Sequence, residues 1–213
     1  MSQSKPTLHH LNHSQSQRVL WLFEELGVDY DVKFYSRQPV TFRAPPELAT
    51  VHPMGKSPTL VTADGRAISE STAIITYILR TYDTAGRFSA ADWILDEELV
   101  SFASSTLGSM IMLQLFSDMT DKTRPRSPIA TAAFKQQLTF LSNVLGDKEW
   151  FSGDHPGRAD FVLSFPFDMI AQRKYVDFDT EYPQLAKYIK RYEARPAWKR
   201  GLEKGNGYDL SVF

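Results

Sequence analysis

The sequence contains no cysteine and almost no charge imbalance, and each absence excludes or disfavours some classes of function. Its 213 residues include 24 Lys and Arg against 25 Asp and Glu, which leaves a net charge of -1. A chain without cysteine has no disulfide and no thiol nucleophile of its own, so a thioredoxin-type redox activity is excluded. The balanced charge gives no electrostatic reason to expect nucleic acid or an anionic membrane surface as a partner.

We also predict neither a targeting segment nor a membrane-spanning segment from the sequence. Residues 1–7 are polar and have no apolar signal-peptide centre. We identify no apolar run that approaches the length needed to cross a bilayer. Hydrophobic residues make up 42% and charged residues 23%, as in ordinary soluble globular proteins. We therefore expect a cytosolic protein of one domain or two small ones.

The segment that starts at Met54 carries the most specific pattern in the chain. It runs Met-Gly-Lys-Ser-Pro-Thr-Leu-Val. Because proline cannot donate to a β-ladder, Pro58 suits the first position of a strand, and the β-branched and apolar residues after it continue that strand. Ala63–Arg66 has the composition of a hairpin turn, and Arg66–Ser69 predicts a short returning strand.

A helix is predicted directly after this hairpin, starting at Ser69–Ser71. Its apolar residues recur at the spacing of one helical face: Ile74, Ile75, Ile78, Leu79 and Tyr82. A helix N-terminus has unfilled backbone N–H groups, and a serine hydroxyl beside them makes a site suited to a carboxylate. The hairpin thus presents a proline-bent backbone edge at Ser57 next to an anion site at Glu70 and Ser71.

This combination resembles the glutathione-binding core of the glutathione transferase family. In that family such a proline is cis, and a Glu-Ser or Asp-Ser pair holds the γ-glutamyl end of glutathione. The segments Phe42–Leu48 and His52–Gly55 are most similar to a branch found in fungi and bacteria. The resemblance covers nearly the whole chain. It implies an enzyme that takes glutathione as a co-substrate and needs no metal.

The remaining pattern predicts an α+β chain with two domains. Thr7–Leu11, a helix capped by Gly27, and Tyr30–Tyr35 form a βαβ unit. With the hairpin and its helix, the resemblance implies a thioredoxin-like βαβ-α-ββα domain over residues 1–82, a linker over 83–91 and an all-helical domain over 92–213. Arg124–Pro128 predicts a break in the second domain. Helices are predicted there at Trp93–Met119 with a weak point at Gly108, at Ala130–Leu145, at Asp160–Gln172 and at Tyr182–Arg195, the last stopped by Pro196.

The resemblance also implies a group that lowers the pKa of the glutathione thiol, which is near ~8.5 when free. Family members place this donor at the first strand–helix turn, where many use tyrosine, but no tyrosine precedes Tyr30. Ser14 is the first candidate. A serine that opens a helix is often only a cap, and Ser14 with Gln17 fits a capping box. The alternative donors are Ser16, Asn12 and His13.

Further glutathione contacts follow from the same resemblance. Arg43 matches the place where related classes set a basic residue on the glycine carboxylate, and Lys56 lies where the family often has Gln. Ser57–Pro58 would pair with the cysteinyl backbone. Glu70 would bind the glutamyl ammonium and Ser71 the glutamyl carboxylate. The competing interpretations are a solvated arginine and lysine and an ordinary helix-capping pair.

The second substrate is expected between the two domains, in an apolar pocket. Four residues of the long helix are candidates to line it, although the same stripe also fits a plain hydrophobic core: Leu107, Met110, Ile111 and Phe116. Metal binding is not expected at His9, His10 and His13, because neighbouring strand residues face opposite sides and no nearby ligand completes a site.

Two main functions remain open at this point, and a third possibility, glutathione-dependent isomerisation or ether cleavage, would differ from the first only in the pocket for the second substrate. The first is a glutathione transferase that activates the glutathione thiol for conjugation to small apolar electrophiles, for peroxide reduction, or for both. The second is a non-catalytic, glutathione-binding or regulatory module of the same fold. A two-fold dimer is expected in either case, because the family is mostly dimeric and because Ile74, Ile75 and Ile78 cannot all face one core.

Overall fold

The computed structural model describes residues 5–121, 123 and 128–213, and within these the chain divides into two compact units. The first unit extends to Arg87 and also takes in Glu193–Asp209. The second comprises Phe88–Tyr192 and Leu210–Phe213. The break predicted at Arg124–Pro128 lies outside the described residues except for Pro128, as does the start of the polar N-terminal segment.

A four-stranded mixed sheet forms the centre of the first unit. Its strands are β1 (Thr7–Leu11), β2 (Asp31–Tyr35), β3 (Thr59–Val61) and β4 (Ala67–Ile68), in the order β2-β1-β3-β4. β1 is parallel to β2 and antiparallel to β3, and β3 is antiparallel to β4. Each strand matches a predicted one to within one or two residues, so the predicted thioredoxin-like arrangement is confirmed.

Helices account for most of the remaining described chain. In chain order they are α1 (Gln17–Leu26), α2 (Ser71–Tyr82), α3 (Trp93–Ser101), α4 (Gly108–Thr120), α5 (Pro128–Leu145), α6 (Arg158–Gln172), α7 (Phe178–Glu181), α8 (Pro183–Ala194) and α9 (Pro196–Lys204). Single 3-10 turns occur at Pro46–Thr50 and Leu210–Val212. A π-helical turn, Phe102–Leu107, joins α3 to α4. The second unit is therefore helical, as predicted.

α1 packs against both α2 and α9 inside the first unit. Ion pairs tie α1 to the later segment: Arg200 Nε lies 2.9 Å from Glu24 Oε2, and Arg195 Nη2 donates to Glu25 Oε2 at 2.8 Å. α2 buries its three isoleucines completely, namely Ile74, Ile75 and Ile78. The expectation that they could not all face one core is therefore wrong, and the argument for a dimer that was based on them fails.

Pro196 begins a helix and does not simply end one. It occupies the first turn of α9, where its fixed φ and missing N–H cost nothing. The prediction that Pro196 only stops a helix is therefore wrong, and neither α9 nor the single turn of α7 was predicted.

The long helical stretch Trp93–Thr120 lies in the second unit. Its length and composition would allow it to cross a membrane, and 33% of its most apolar window is buried. The prediction that no apolar run approaches this length is therefore wrong, although core helices of soluble proteins can have the same length and composition. The predicted weak point is confirmed: a Cβ added at Gly108 would lie 2.7 Å from the carbonyl oxygen of Ala103, across the π turn.

α6, predicted as a helix over Asp160–Gln172, is mostly buried in the second unit. Asp160 in its first turn is fully buried and accepts the Gly157 N–H at 2.9 Å, which caps the helix. The same carboxylate accepts the Phe151 N–H at 2.9 Å and the Tyr188 hydroxyl at 3.0 Å. One carboxylate thus fixes the start of α6 to the preceding loop and to α8.

Candidate functional site

The turn between β1 and α1, residues 12–16, is called the first turn below. It carries all four predicted thiol-activating residues. Ser14 is 3% exposed, and its Oγ donates to the Leu11 carbonyl at 2.7 Å and accepts the Ser16 N–H at 3.2 Å. The predicted capping box with Gln17 does not form, because the Ser14 hydroxyl is used inside the turn. The Gln17 amide has no partner among the described residues. The hydroxyl therefore holds the turn together and lies at the end of β1.

The three alternative donors have different surroundings. Asn12 Oδ1 accepts the Arg37 N–H at 2.8 Å. His13 Nδ1 accepts the Asp209 N–H at 2.9 Å, so this ring nitrogen is also engaged. Ser16 Oγ is buried and has no hydrogen-bond partner in the described part of the chain, and the residue has no exposed surface.

Ser57 connects the proline-bent edge to β1. The Ser57–Pro58 peptide bond is cis, as predicted. Ser57 Oγ donates to the His9 carbonyl at 2.9 Å and accepts the Leu11 N–H at 3.0 Å. The Leu11 carbonyl also accepts the Ser14 hydroxyl, so Ser57 and the first turn are both bonded to the C-terminal end of β1.

The start of α2 is held against the first turn by a buried cation. Arg18 Nη2 donates to Ser71 Oγ and to Gln15 Oε1, and Ser71 Oγ donates to the same Gln15 oxygen at 3.3 Å. Burial lowers the pKa of Arg18 to about 10, which still leaves the guanidinium charged near neutral pH, and the nearby Glu70 charge favours that form. Glu70 has φ +68°, an unusual value for a residue other than glycine, and its side chain is exposed.

Arg18 and Gln15 were not identified from the sequence. Gln15 lies in the turn just before α1 and Arg18 in the first turn of that helix, so both side chains can reach one partner. A cation in the first turn of a helix also faces the unfavourable end of the helix dipole, so its presence at Arg18 indicates a compensating contact. The unfavourable position of Arg18 is visible in the sequence, but its partner Ser71 is not, because it lies 53 positions away.

Arg43 and Lys56, the predicted partners of the glycine carboxylate, both have exposed side chains. Their backbones are ordered by local bonds: the Gln38 N–H donates to the Arg43 carbonyl at 3.0 Å, and Thr59 Oγ1 donates to the Lys56 carbonyl at 2.8 Å. Both side chains are free to meet a ligand carboxylate, and the assignment of that role stays a prediction.

The four predicted second-substrate residues divide into two pairs. Leu107 and Ile111 are fully buried in the second unit, at 0% and 1% exposure. Met110 is partly exposed, and Phe116 is 57% exposed. The buried pair contributes to the helical core, whereas the other pair has surface to offer a ligand or a partner. The pocket assignment stays a prediction.

His9 and His10 of β1 both have aromatic neighbours. Across residues 5–121, 123 and 128–213, no group of three or more His, Asp or Glu side chains could hold a metal ion. His9 Nδ1 is 2.9 Å from the Tyr35 hydroxyl, and His10 packs edge-on against Phe34.

Comparison with known families gives two matches on this chain. The glutathione S-transferase N-terminal domain matches residues 14–81, and the glutathione S-transferase C-terminal domain matches residues 106–196. Glutathione S-transferase 3 of Schizosaccharomyces pombe is 30% identical, over 97% of this chain and 90% of its own. The chain belongs to the glutathione S-transferase family. Glutathione S-transferase 1 of Saccharomyces cerevisiae is 27% identical, over 92% of this chain and 94% of its own.

Solved structures agree with this assignment. A glutathione S-transferase from Actinobacillus pleuropneumoniae has a TM-score of 0.81 and 34% identity, covering 98% of this chain and 96% of its own. A transferase homolog from Lodderomyces elongisporus, solved with two glutathione molecules per subunit, has a TM-score of 0.77 at 20% identity and shows the fold alone; it covers 93% of this chain and 98% of its own. The predictions of the family, the fold and an enzyme of the glutathione S-transferase type are confirmed.

Proposed function

We propose that this glutathione S-transferase binds glutathione along the first unit and activates its thiol at the first turn. One observation carries the proposal. Three segments far apart in the sequence, the first turn, Ser57–Pro58 and the start of α2, are joined by direct side-chain hydrogen bonds. Each offers a group that suits a different part of the glutathione peptide.

The γ-glutamyl end would bind at the start of α2. Glu70 is exposed and carries the charge that a glutamyl ammonium needs. Ser71 and the Arg18 guanidinium supply a hydroxyl and a positive charge for the glutamyl carboxylate, and the side chain of the N-cap residue Glu70 does not cap the first N–H groups of α2. Arg43 and Lys56 would bind the glycine carboxylate through their exposed cationic ends.

Ser14 is the group that we propose to stabilise the thiolate. Its hydroxyl hydrogen can rotate from the Leu11 carbonyl to a sulfur, while its oxygen continues to accept the Ser16 N–H. That retained bond polarises the O–H group and strengthens it as a donor. Asn12 Oδ1 and His13 Nδ1 accept backbone N–H groups, so only Asn12 Nδ2 and His13 Nε2 could donate to the sulfur, and Ser16 is fully buried. The serine-type branch of the family follows only if this assignment is right.

Replacing Ser14 by alanine tests this assignment directly. We expect Ser14→Ala to keep glutathione affinity within a few-fold, because the peptide is held elsewhere, and to lower kcat. Losing one such donor costs on the order of 2–4 kcal/mol in the transition state. The bound thiolate, followed by its ultraviolet absorbance, should form at higher pH. Glu70→Ala should instead weaken binding strongly and move the thiol pKa little.

Two results would contradict the Ser14 assignment. If Ser14→Ala is fully active while Ser16→Ala or Asn12→Ala is not, the donor is another residue of the same turn. If none of the three variants changes the thiolate pKa, the serine is only the local turn contact seen between Leu11 and Ser16.

The substrate that receives the thiol is proposed to be a small apolar electrophile, a peroxide, or both. The named relatives favour an enzyme over a non-catalytic binding module. Turnover with a generic aryl electrophile and with cumene hydroperoxide, beside retention on immobilised glutathione, distinguishes these options. Retention without either turnover would favour the binding module.

We also propose a cytosolic homodimer. The support comes from the second unit, where α4 exposes Leu113 at 66% and Phe116 at 57%, and α3 exposes Trp93 at 74% and Ile94 at 63%. Large apolar side chains exposed on adjoining segments usually mark a surface that is covered in use.

A further inference from the structure

Residues Gly205–Asp209, here called the 205–209 segment, lie against the first turn inside the first unit. Asn206 Nδ2 donates to the Tyr35 carbonyl at 2.9 Å. The His13 N–H donates to the Gly207 carbonyl at 3.0 Å, and the Asp209 N–H donates to His13 Nδ1 at 2.9 Å. Two of these three bonds meet at His13, the residue directly before Ser14.

His13 has a backbone conformation that needs such support. Its φ is +49°, in the left-handed region that residues other than glycine adopt rarely and at a cost. Arg37 holds the other side of the residue, because its Nη2 donates to the His13 carbonyl at 3.0 Å while its Nη1 donates to the Phe42 carbonyl at 2.7 Å. The backbone of His13 is therefore fixed between Arg37 and the 205–209 segment.

Gly207 makes the ring contact geometrically specific. It has φ +117°, and a Cβ placed on it would lie 3.2 Å from His13 Cε1. The imidazole thus rests closely on the glycine backbone. Its Nδ1 is thereby directed at the Asp209 N–H, with a separation of 2.9 Å.

The hydrogen bond from Asp209 defines the required form of the ring. Because a backbone N–H donates to Nδ1, that nitrogen must be unprotonated, and the neutral ring carries its hydrogen on Nε2. The charged groups that face the ring are Arg37 and Asp209. Burial and Arg37 lower the pKa of His13, against the opposing effect of the Asp209 carboxylate, so the neutral form prevails near pH 7.

We propose that His13 is a positioning residue for thiol activation, whose neutral imidazole docks the 205–209 segment on the first turn and so fixes Ser14. The proposal rests on the function proposed above. Protonation would place an N–H group against the Asp209 N–H and release the segment. The first turn would then lose one of its two supports, and Ser14 would no longer be held at the sulfur.

Two substitutions at His13 separate this role from a general structural one. His13→Asn keeps an acceptor near the Nδ1 position, tolerates positive φ and does not titrate. His13→Gly tolerates positive φ equally but has no acceptor. We expect His13→Gly to lower kcat about ten-fold, to raise the pH at which the bound thiolate forms, and to change KM for glutathione less than about three-fold. His13→Asn should restore most of that loss.

A second measurement does not depend on turnover. Amide hydrogen exchange of residues 205–209, corrected for intrinsic rates, should be faster at pH 4.5 than at pH 7.5 in the unmodified chain, because the pKa of His13 lies below its ordinary value. In His13→Asn the protection should be the same at both values, and in His13→Gly it should be low at both. If the unmodified chain does not turn over glutathione, the proposed function fails, and the exchange data still test the docking of the segment.

The outcomes that overturn the proposal are distinct. Unchanged kcat and thiolate pKa in His13→Gly would show that the first turn does not need the segment. Equal loss of kcat in His13→Asn and His13→Gly would show that the imidazole itself is needed, as in a catalytic donor. Exchange protection that is independent of pH in the unmodified chain would exclude the titration of His13 as the release step.

Discussion

A buried arginine needs compensation, and Arg18 obtains it from Ser71, Gln15 and the nearby charge of Glu70. Replacing it by methionine keeps much of the apolar stem but removes the cation. Because hydrogen bonds to a charged group are worth about 1.5–3 kcal/mol, we expect Arg18→Met to weaken glutathione binding ten-fold or more. Titration calorimetry measures this directly. Arg80→Met, which removes an exposed charge from α2, is the control and should bind normally.

From the buried ring of His10 we predict that the stability of the fold decreases in acid. Burial lowers its pKa from 6.5 to about 4, and neither ring nitrogen has a partner among the described residues. The unfolded chain therefore takes up a proton first as the pH falls below 6.5, and stability present above that pH is lost until about pH 4. We expect the free energy of unfolding to fall by about 2 kcal/mol between pH 7 and pH 5 from this residue.

Urea unfolding at the two pH values checks this expectation. His10→Leu should remove most of that pH-dependent loss, because it no longer offers the unfolded state a proton site. His155→Gln, at an exposed histidine, should retain it. An unchanged pH dependence in His10→Leu would mean that other groups account for the acid sensitivity.

At the scale of elements, the π turn at Phe102–Leu107 explains a glycine inside a helical stretch. Gly108 lets the Ala103 carbonyl approach where a Cβ would be 2.7 Å away. Gly108→Ala gains helix propensity but forces that contact apart, so we expect a net destabilisation of about 1–3 kcal/mol, measured by urea unfolding. Ser109→Ala changes the next, exposed position and should be neutral or slightly stabilising. Equal effects of the two would contradict the steric argument.

The elements also show what the sequence could and could not provide. Gly108 and the strand at Thr59 follow from local rules on glycine and proline, so they were predictable, whereas the cis bond at Ser57–Pro58 was expected only from the family resemblance. Pro196 has two local meanings, a stop and a first-turn residue, and only the packing of α9 on α1 distinguishes them.

The candidate site also contains residues that could be predicted from the sequence and residues that could not. Glu70 and Ser71 were found because their motif is contiguous in the sequence. Arg18 was missed because its contact with Ser71 spans 53 positions and depends on how α1 packs against α2. His13 was named only as an alternative donor, and its contacts could not be predicted because its partners Gly207 and Asp209 come from the far end of the chain.

For the whole molecule, the proposed dimer has a measurable mass. One chain weighs 24.3 kDa, so sedimentation equilibrium at micromolar concentration should give twice that value. The double substitution Leu113→Lys and Phe116→Lys places charges on the exposed apolar face of α4 and should yield monomers, because an interface would have to bury them. Leu202→Lys, on α9, is the control. A monomeric unmodified chain would contradict the proposal.

The first unit is discontinuous, since it is completed by Glu193–Asp209 after more than a hundred residues of the second unit. During synthesis, the ribosome releases the sheet and α1 well before α9 exists to cover them. Gly201 packs against Trp21 and Leu20. These two residues therefore lack their final partner while the intervening helices are synthesised. Such long-range closure is slow and leaves apolar surface open to other chains. In a living cell, the nascent first unit would thus depend on chaperones until the last helix has been translated.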